Sequence, residues 1–578
     1  MQIVFVVTYT ISKICFTTKN YNVFFILANS FSINPILANR KTNEITNNII
    51  MRRITTFIAL ALAFTAATAQ DKSDWAGGVP EGCTSVTVGR LASFDGSVMT
   101  SHTDDSHRTR SWMDIIPAKK HKAGETVTMY KREACNDFKM PTYKHTPIGS
   151  IPEVAETFGY VNTAYPCMNT KQLGMGESTF GGREELQSDA GLIDCQRLCK
   201  LILERCTTAR QAIEMSGELL KEYGWNDFGE VLTIADPKEV WHLEIVGPGK
   251  GKVGAVWVAQ RVPDDHVAVN ANASTIKEID LNNKDFFMAS DNVYSVAKEN
   301  GWWNEGETFR FCYAYAPHSR KSMAARRREW RVFDLLAPSL KLDPNDENYP
   351  FSVKPDNKVT LADMVRVFQD YYEGTPFDMT KNLLVPDKDG KMVISPLATP
   401  HMPYDANTLH KVNGGWNELG ERTIARWYTM YGTIIQCRDW LPDEIGGLVW
   451  LAQDNMATSI YVPFYASIKD VPESYKTPGR PNGYTTKSAW WAFNRLGTLT
   501  SQRWGDMRKD VDAVWGPWQK ELFDNQNEVE KQALELNKKS SKKAIGFLTI
   551  YSNKWGNKVV DKAWELGDDL WTKYDEKF

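Results

Sequence analysis

Residues 84–88, TSVTV, alternate polar and apolar side chains, turn at Phe94-Asp95-Gly96, and return as SVMTSHT over 97–103. A period of two places successive side chains on opposite faces, which predicts a β-hairpin over 84–105. A second strand pair is predicted over 158–182 around MNTKQLGMGESTFGG. The period then changes to that of a helix. DAGLIDCQRLCKLILERCTTARQAIEMSGELLKEYG predicts one long helix from about 189 to 223, stopped by Gly224. EVLTIAD, EVWHLEIVG, VGAVWVAQRVP and HVAVNAN follow as strands, with turns at Asp236-Pro237 and Gly247-Pro248-Gly249. Helical spacing recurs at 322–337 and 360–373. A second strand block spans 423–468, and the tail from about 510 reads as an amphipathic helical extension. Strands grouped before and after helices predict an α+β fold rather than alternating βαβ units.

Composition narrows the class. Of 578 residues, 42% are hydrophobic and 24% charged, enough apolar mass for a large core. The net charge of -3 comes with no long basic block, which argues against a nucleic-acid partner. Arg326, Arg327 and Arg328, beside Glu329, read as a solvated helix face.

Met51-Arg-Arg precedes the apolar run ITTFIALALAFTAATA, which ends in the Ala67-Thr68-Ala69 cleavage pattern. That is a secretory signal peptide over 51–69, so the mature chain is expected to be exported, periplasmic or extracellular. Residues 1–50 have no clear period and read as an over-extended start. Polar residues break their apolar runs short of a membrane span, and stable membrane insertion is not expected. Cys195, Cys199 and Cys206 share one helical stripe without a histidine partner, which points to core packing and not to zinc.

Cys83 stands after a glycine at the head of the first strand, shortly after the signal. A thiol needs a base to become a nucleophile. None of the nine histidines sits in a local cysteine-peptidase signature. If the Gly82–Cys83 bond is cut, Cys83 gains its own α-amine, which titrates near pH ~7.7–8.0 and is suited to general-base work. The cut removes a short propeptide, Gln70 to Gly82 (70–82). The alternative is a small, inert cysteine opening a core strand.

GCTSVTVGRLASFDGSVMTSHTDDS resembles the start of the dipeptidase A (PepD-type) cysteine peptidases, members of the N-terminal-nucleophile hydrolases. MNTKQLGMGESTFGGREEL, GEVLTIADPKEVWHLEI, WVAQRVPDDHVAVNAN, RREWRVFDLLAPS and CRDWLPDEIGGLVWLAQDNMATSIYVPFYA resemble that family in order and spacing. The resemblance implies an αββα four-layer sandwich over 83–509; the amphipathic spacing of 510–578 reads as a helical C-terminal extension, available for homo-oligomer contacts. It implies hydrolysis of small peptides, dipeptides above all, without a metal or other cofactor.

By the same resemblance, His102 and Asp105 take the places of an arginine and an aspartate on the returning strand, with Asp104 an alternative carboxylate. Asn270 matches an oxyanion-hole asparagine, and Thr179 takes the place of another. Arg328 resembles a late arginine that supports the nucleophile, Arg327 being equally spaced for it. Arg261 and Asp264 would contact substrate termini or form a turn pair. Two other readings stay open: an acylase of the choloylglycine or penicillin-acylase type, and an exported non-catalytic binding protein.

Overall fold

The computed structural model describes residues 11–18, 21–28, 82–400 and 421–577. The chain divides into two compact units, Met1–Asp71 and Lys72–Phe578. In the first, where no period was read, Ile11–Thr18 pairs antiparallel with Tyr21–Ala28 in the register Ile11↔Ala28. The segments read as a signal peptide and, up to residue 81, as a propeptide lie outside the described residues.

The second unit begins with the predicted hairpin, β1 (Gly82–Val88) and β2 (Val98–Asp105). Then come β3 (Gly174–Gly181), β4 (Gly229–Ala235), β5 (Val240–Val246), β6 (Val256–Arg261) and β7 (Val267–Asn270). The late block supplies β8 (Thr429–Cys437), β9 (Leu448–Gln453) and β10 (Val462–Tyr465). A seven-stranded sheet has the order Ser352–Val353, β7, β1, β2, β8, β9, β10. An eight-stranded sheet runs Phe287–Ala289, β6, β5, β4, β3, Met168–Asn169, Tyr160–Asn162, Asp114–Ile116. The fold is therefore α+β.

The two sheets meet where β3 lies against β1 and β2. Every residue of β1 and β2 is buried, so the alternation in TSVTV does not separate core from solvent. Ser85 and Thr87 on β1 and Thr100 on β2 instead face the other sheet and bond to it. Ser85 Oγ donates to the Glu177 carbonyl at 2.8 Å, Thr87 Oγ1 meets His242 Nε2 at 2.9 Å, and Thr100 Oγ1 meets Thr233 Oγ1 at 2.7 Å. Buried hydroxyls are tolerated only when paired in this way. The approach is close: a Cβ on Gly176 would stand 2.2 Å from the Ser101 carbonyl oxygen.

The helix expected over 189–223 is two helices, α1 (Cys195–Arg205) and α2 (Ala209–Tyr223), packed on the eight-stranded sheet. Thr208 breaks the run because its side chain caps α2, accepting from Gln211 N, while Asp236 Oδ2 takes the Ala209 N–H at 2.9 Å. Gly224 ends α2 with φ +74°, as a glycine terminator should. Cys195, Cys199 and Cys206 are buried there, and all eight described cysteines of the second unit are free thiols.

On the seven-stranded sheet, α3 (Met323–Leu336) packs beside β7. The layer is extended by α4 (Ala489–Gln502), α5 (Trp504–Asn537) and α6 (Ser541–Tyr574), with α6 on β10. The boundary expected at 510 falls inside α5, whose Trp515 and Leu522 belong to the same core as the sheets. One buried ion pair ties this layer down. Arg438 bonds Glu530 of α5 and donates to the carbonyls of Gly446 at 2.8 Å and Ile445 at 2.9 Å, while Tyr465 Oη reaches Glu530 at 3.2 Å. Glu530→Ala would strand the Arg438 charge in the core. Its expected loss is about 3–5 kcal/mol, read as an earlier urea midpoint at unchanged slope.

Candidate active site

Cys83 is the second residue of β1, 5% exposed, and the surrounding chain holds it at three atoms. Its N–H donates to Asn272 Oδ1 at 3.1 Å. Its carbonyl accepts from Arg328 Nη1 at 2.7 Å. Its Sγ donates to Glu177 Oε1 at 3.0 Å. Burial, followed by the nearby carboxylates of Glu177, Asp104 and Asp105, holds the thiol pKa well above its usual value. In this uncut chain the sulfur is therefore a protonated, quiet group.

Arg328 lies on α3, 2% exposed. Expectation had the Arg326–Arg328 run facing solvent; all three are buried, because each guanidinium finds carbonyl or carboxylate partners under the sheet. Arg326 caps the carbonyls of Asn345 and Asp346, and Arg327 donates to Pro344 O at 2.9 Å. Arg328 reaches from Cys83 O to Thr84 Oγ1 at 2.9 Å, Ala271 O at 3.0 Å and Asn272 Oδ1 at 2.8 Å. Of Arg327 and Arg328, Arg328 is the one at Cys83.

In the VNAN turn, Asn270 spends its Nδ2 on the Ala273 carbonyl at 2.7 Å. Asn272, two residues on at φ +62°, is the asparagine at Cys83, and its Nδ2 donates to Thr179 O at 2.7 Å. The reason is geometric: Asn270 is still in β7, paired with Ser85, whereas the left-handed residue 272 turns its amide back over the strand end. Asn272 also explains Gly82, since a Cβ there would lie 2.5 Å from Asn272 Oδ1. Thr179 itself turns its hydroxyl to Glu230 Oε1 at 2.7 Å.

On β2, Asp104 is the register partner of Cys83 and Asp105 that of Gly82. Asp105 is fully buried between Arg422, which ion-pairs with it, and Thr429 Oγ1 at 2.6 Å. Asp104 accepts from Thr109 Oγ1 at 2.7 Å. His102 stands edge-on to Tyr165 and Tyr431, ring centroids 5.4 and 5.6 Å away. Its Nε2 meets Glu177 Oε1 at 3.0 Å, the oxygen that Cys83 also uses. Arg261 and Asp264 form the turn pair, 2.6 Å apart, together with Arg90 and Glu239.

Glu177 and Asn272 are the residues that sequence reasoning missed. Glu177 did leave a signal: it is the charged residue in an uncharged run of strand, between Gly176 and Ser178. A cavity of about 640 Å³ is lined by Thr109, which bonds Asp104, and by Arg108, Arg110, Arg197 and Lys200. The larger cavity, about 850 Å³, includes Phe94, Asp95 and Met99, at the opposite end of the hairpin from Cys83.

Comparison with known proteins follows this geometry. The model of peptidase family C69 matches residues 82–516, opening one residue before Cys83. A probable dipeptidase of Latilactobacillus sakei is 26% identical over 447 residues, covering 74% of this chain and 83% of the relative. A probable dipeptidase B of Lactococcus lactis is 27% identical over 406 residues, covering 68% and 76%. A probable dipeptidase of Salmonella dublin is 26% identical over 432 residues, covering 71% and 88%.

Proposed function

The chain belongs to peptidase family C69 and is a peptidase, and from that premise we propose that it is an exported cysteine dipeptidase of the N-terminal-nucleophile type, built as an αββα sandwich. Membership of a peptidase family sets aside the reading of a non-catalytic binding protein. The observation that carries the proposal is the three-point grip on Cys83, at its nitrogen, its carbonyl and its sulfur. An inert core cysteine has no use for a buried arginine and an asparagine on its main chain.

In the mature chain, cut after Gly82, the Cys83 nitrogen is a free amine held by Asn272 Oδ1. Asp104, the register partner of Cys83, balances the charge when that amine is protonated. The amine takes the thiol proton, and the thiolate attacks the scissile carbonyl. Asn272 has a second Nδ2 hydrogen beyond the one on Thr179, and it serves the oxyanion in place of Asn270. The ammonium returns its proton to the leaving amine, giving a thioester that water hydrolyses by the same route. The basic cavity beside Thr109 accepts the carboxylate end of the peptide through Arg108 and Arg110.

Asn272→Ala is expected to lower kcat by about 10²–10³-fold, the size of one oxyanion donor. Asn270→Ala should leave kcat within about threefold and lower stability by about 1–2 kcal/mol, the effect of a stranded turn carbonyl. Steady-state kinetics and urea unfolding on both variants separate the two asparagines. The reading as a whole is tested by the mass of the mature N-terminus, with dipeptides assayed beside N-acyl amino acids. Active enzyme whose Cys83 is still joined to Gly82 would defeat it, and turnover of N-acyl amino acids alone would move the substrate to the acylase class.

A further inference from the structure

The amine that serves turnover does not exist until the Gly82–Cys83 bond has been cut, so some other group must act as base in that first cut. Before cleavage the Cys83 nitrogen is an amide whose lone pair is delocalised into the peptide bond, and its hydrogen is given to Asn272 Oδ1 at 3.1 Å. We propose that Glu177 is the base for self-cleavage and that the α-amine replaces it only afterwards. This rests on the N-terminal-nucleophile reading above.

Four observations support Glu177. Its Oε1 already accepts the thiol hydrogen at 3.0 Å, so the proton has nowhere to travel. Its Oε2 is buried and has no hydrogen-bond partner among the described residues, which leaves room for a proton without displacing a contact. Its position is fixed: Ser85 Oγ holds its carbonyl at 2.8 Å, and His102 Nε2 holds Oε1 at 3.0 Å. His102 is thereby a positioning residue, meeting the carboxylate rather than the sulfur.

The charge around the sulfur favours the same route. Burial first, and then Glu177, Asp104 and Asp105, oppose a thiolate, which explains why the uncut thiol is quiet. Moving the proton from Sγ onto Glu177 creates one negative charge and removes another within a few ångströms, so the cluster gains none. Loss of the same proton to solvent would add a negative charge to a buried site.

The step balances. The Sγ proton passes to Glu177, and the thiolate attacks the Gly82 carbonyl carbon. The Gly82 C–N bond breaks as Glu177 returns the proton to the departing Cys83 nitrogen. A thioester joins Gly82 to Sγ, and one water hydrolyses it, releasing the propeptide carboxylate and restoring the thiol. The new α-amine, once protonated, stands among the carboxylates that had opposed the thiolate and lowers the energy of that thiolate for later turnovers.

The test compares full-length wild-type and Glu177→Gln chains by intact mass over time. The Gln variant is expected to lose its propeptide at least about 10²-fold more slowly, the scale of a general base. A second Glu177→Gln chain begins directly at Cys83, behind an initiator Met that is removed on synthesis. It is expected to hydrolyse dipeptides at least about 10²-fold faster than the uncut variant, because it carries its amine from the start. If wild-type enzyme is active without a Cys83 terminus, the N-terminal-nucleophile reading itself fails. If wild type begins at Cys83 and Glu177→Gln is cut at the same rate, only the role of Glu177 is overturned. If the chain begun at Cys83 is as inactive as the uncut variant, the replacement of Glu177 by the α-amine after cleavage is overturned.

Discussion

Cys83→Ala is expected to abolish peptide hydrolysis, lowering kcat by at least about 10⁴-fold, since removing a covalent nucleophile leaves only binding and oxyanion contacts to act. The same variant should keep its upstream segment, because in the proposed scheme the thiol of residue 83 makes that cut. Stability should change little. The side chain lost is a single sulfur, and its one hydrogen bond goes to a carboxylate that retains His102 as a partner. About 1 kcal/mol is the expected loss. Intact mass, turnover of a dipeptide and a urea curve read all three effects on one preparation. Residual turnover above about 1% of wild type would show that another group carries the chemistry.

Arg328→Met is expected to have the largest combined effect. The guanidinium is buried, and burial followed by Arg422 disfavours its charge; five acceptors offset this, the Ala324 carbonyl within its own helix among them. Met fills similar volume but leaves the oxygens of Cys83, Thr84, Ala271 and Asn272 short of a donor. The expected loss is about 3–5 kcal/mol of stability. Activity should fall by about 10²-fold or more, because the same bonds set the height of Cys83 against Asn272. Arg328→Lys separates the two effects. Lysine restores the charge, but a single ammonium cannot reach Cys83 O and Ala271 O in the fixed fork that Nη1 and Nη2 provide. Stability should recover in part and kcat should not. The comparison is a urea midpoint against a single-turnover rate, and equal recovery of both would remove Arg328 from the catalytic arrangement.

Much of the secondary structure was legible because periodicity is a local property. The hairpin at 84–105, the four strands from Glu230 to Asn270, the helix over Met323–Leu336 and the late strands were all written in the spacing of apolar residues. The break between α1 and α2 was missed because a threonine that caps a helix is spelled like one inside it, and the carboxylate that takes the next N–H, Asp236, lies outside the helix. The basic run on α3 was misread for a related reason. Helical spacing tells which residues share a face, but not whether carbonyls wait beyond that face to receive three guanidinium groups.

Sequence alone singled out Cys83: a thiol behind a glycine, at the head of a strand, with motifs in order behind it. That much travels in a single string, since glycine, cysteine and strand period are neighbours along the chain. Tertiary structure decided which residues surround the sulfur, choosing Arg328 over Arg327 and adding two that the string had not offered. Glu177 is brought to it across the sheet–sheet contact, Arg328 from a helix beneath the strand, and Asn272 from a left-handed turn two residues beyond the asparagine that the motif suggested. The physical reason is that a hydrogen bond depends on distance and direction in space, and a strand reverses the direction of its side chains with each residue. A partner's chemistry can therefore be read from sequence, while the residue that delivers it is settled by how the two sheets and the helix close on one another.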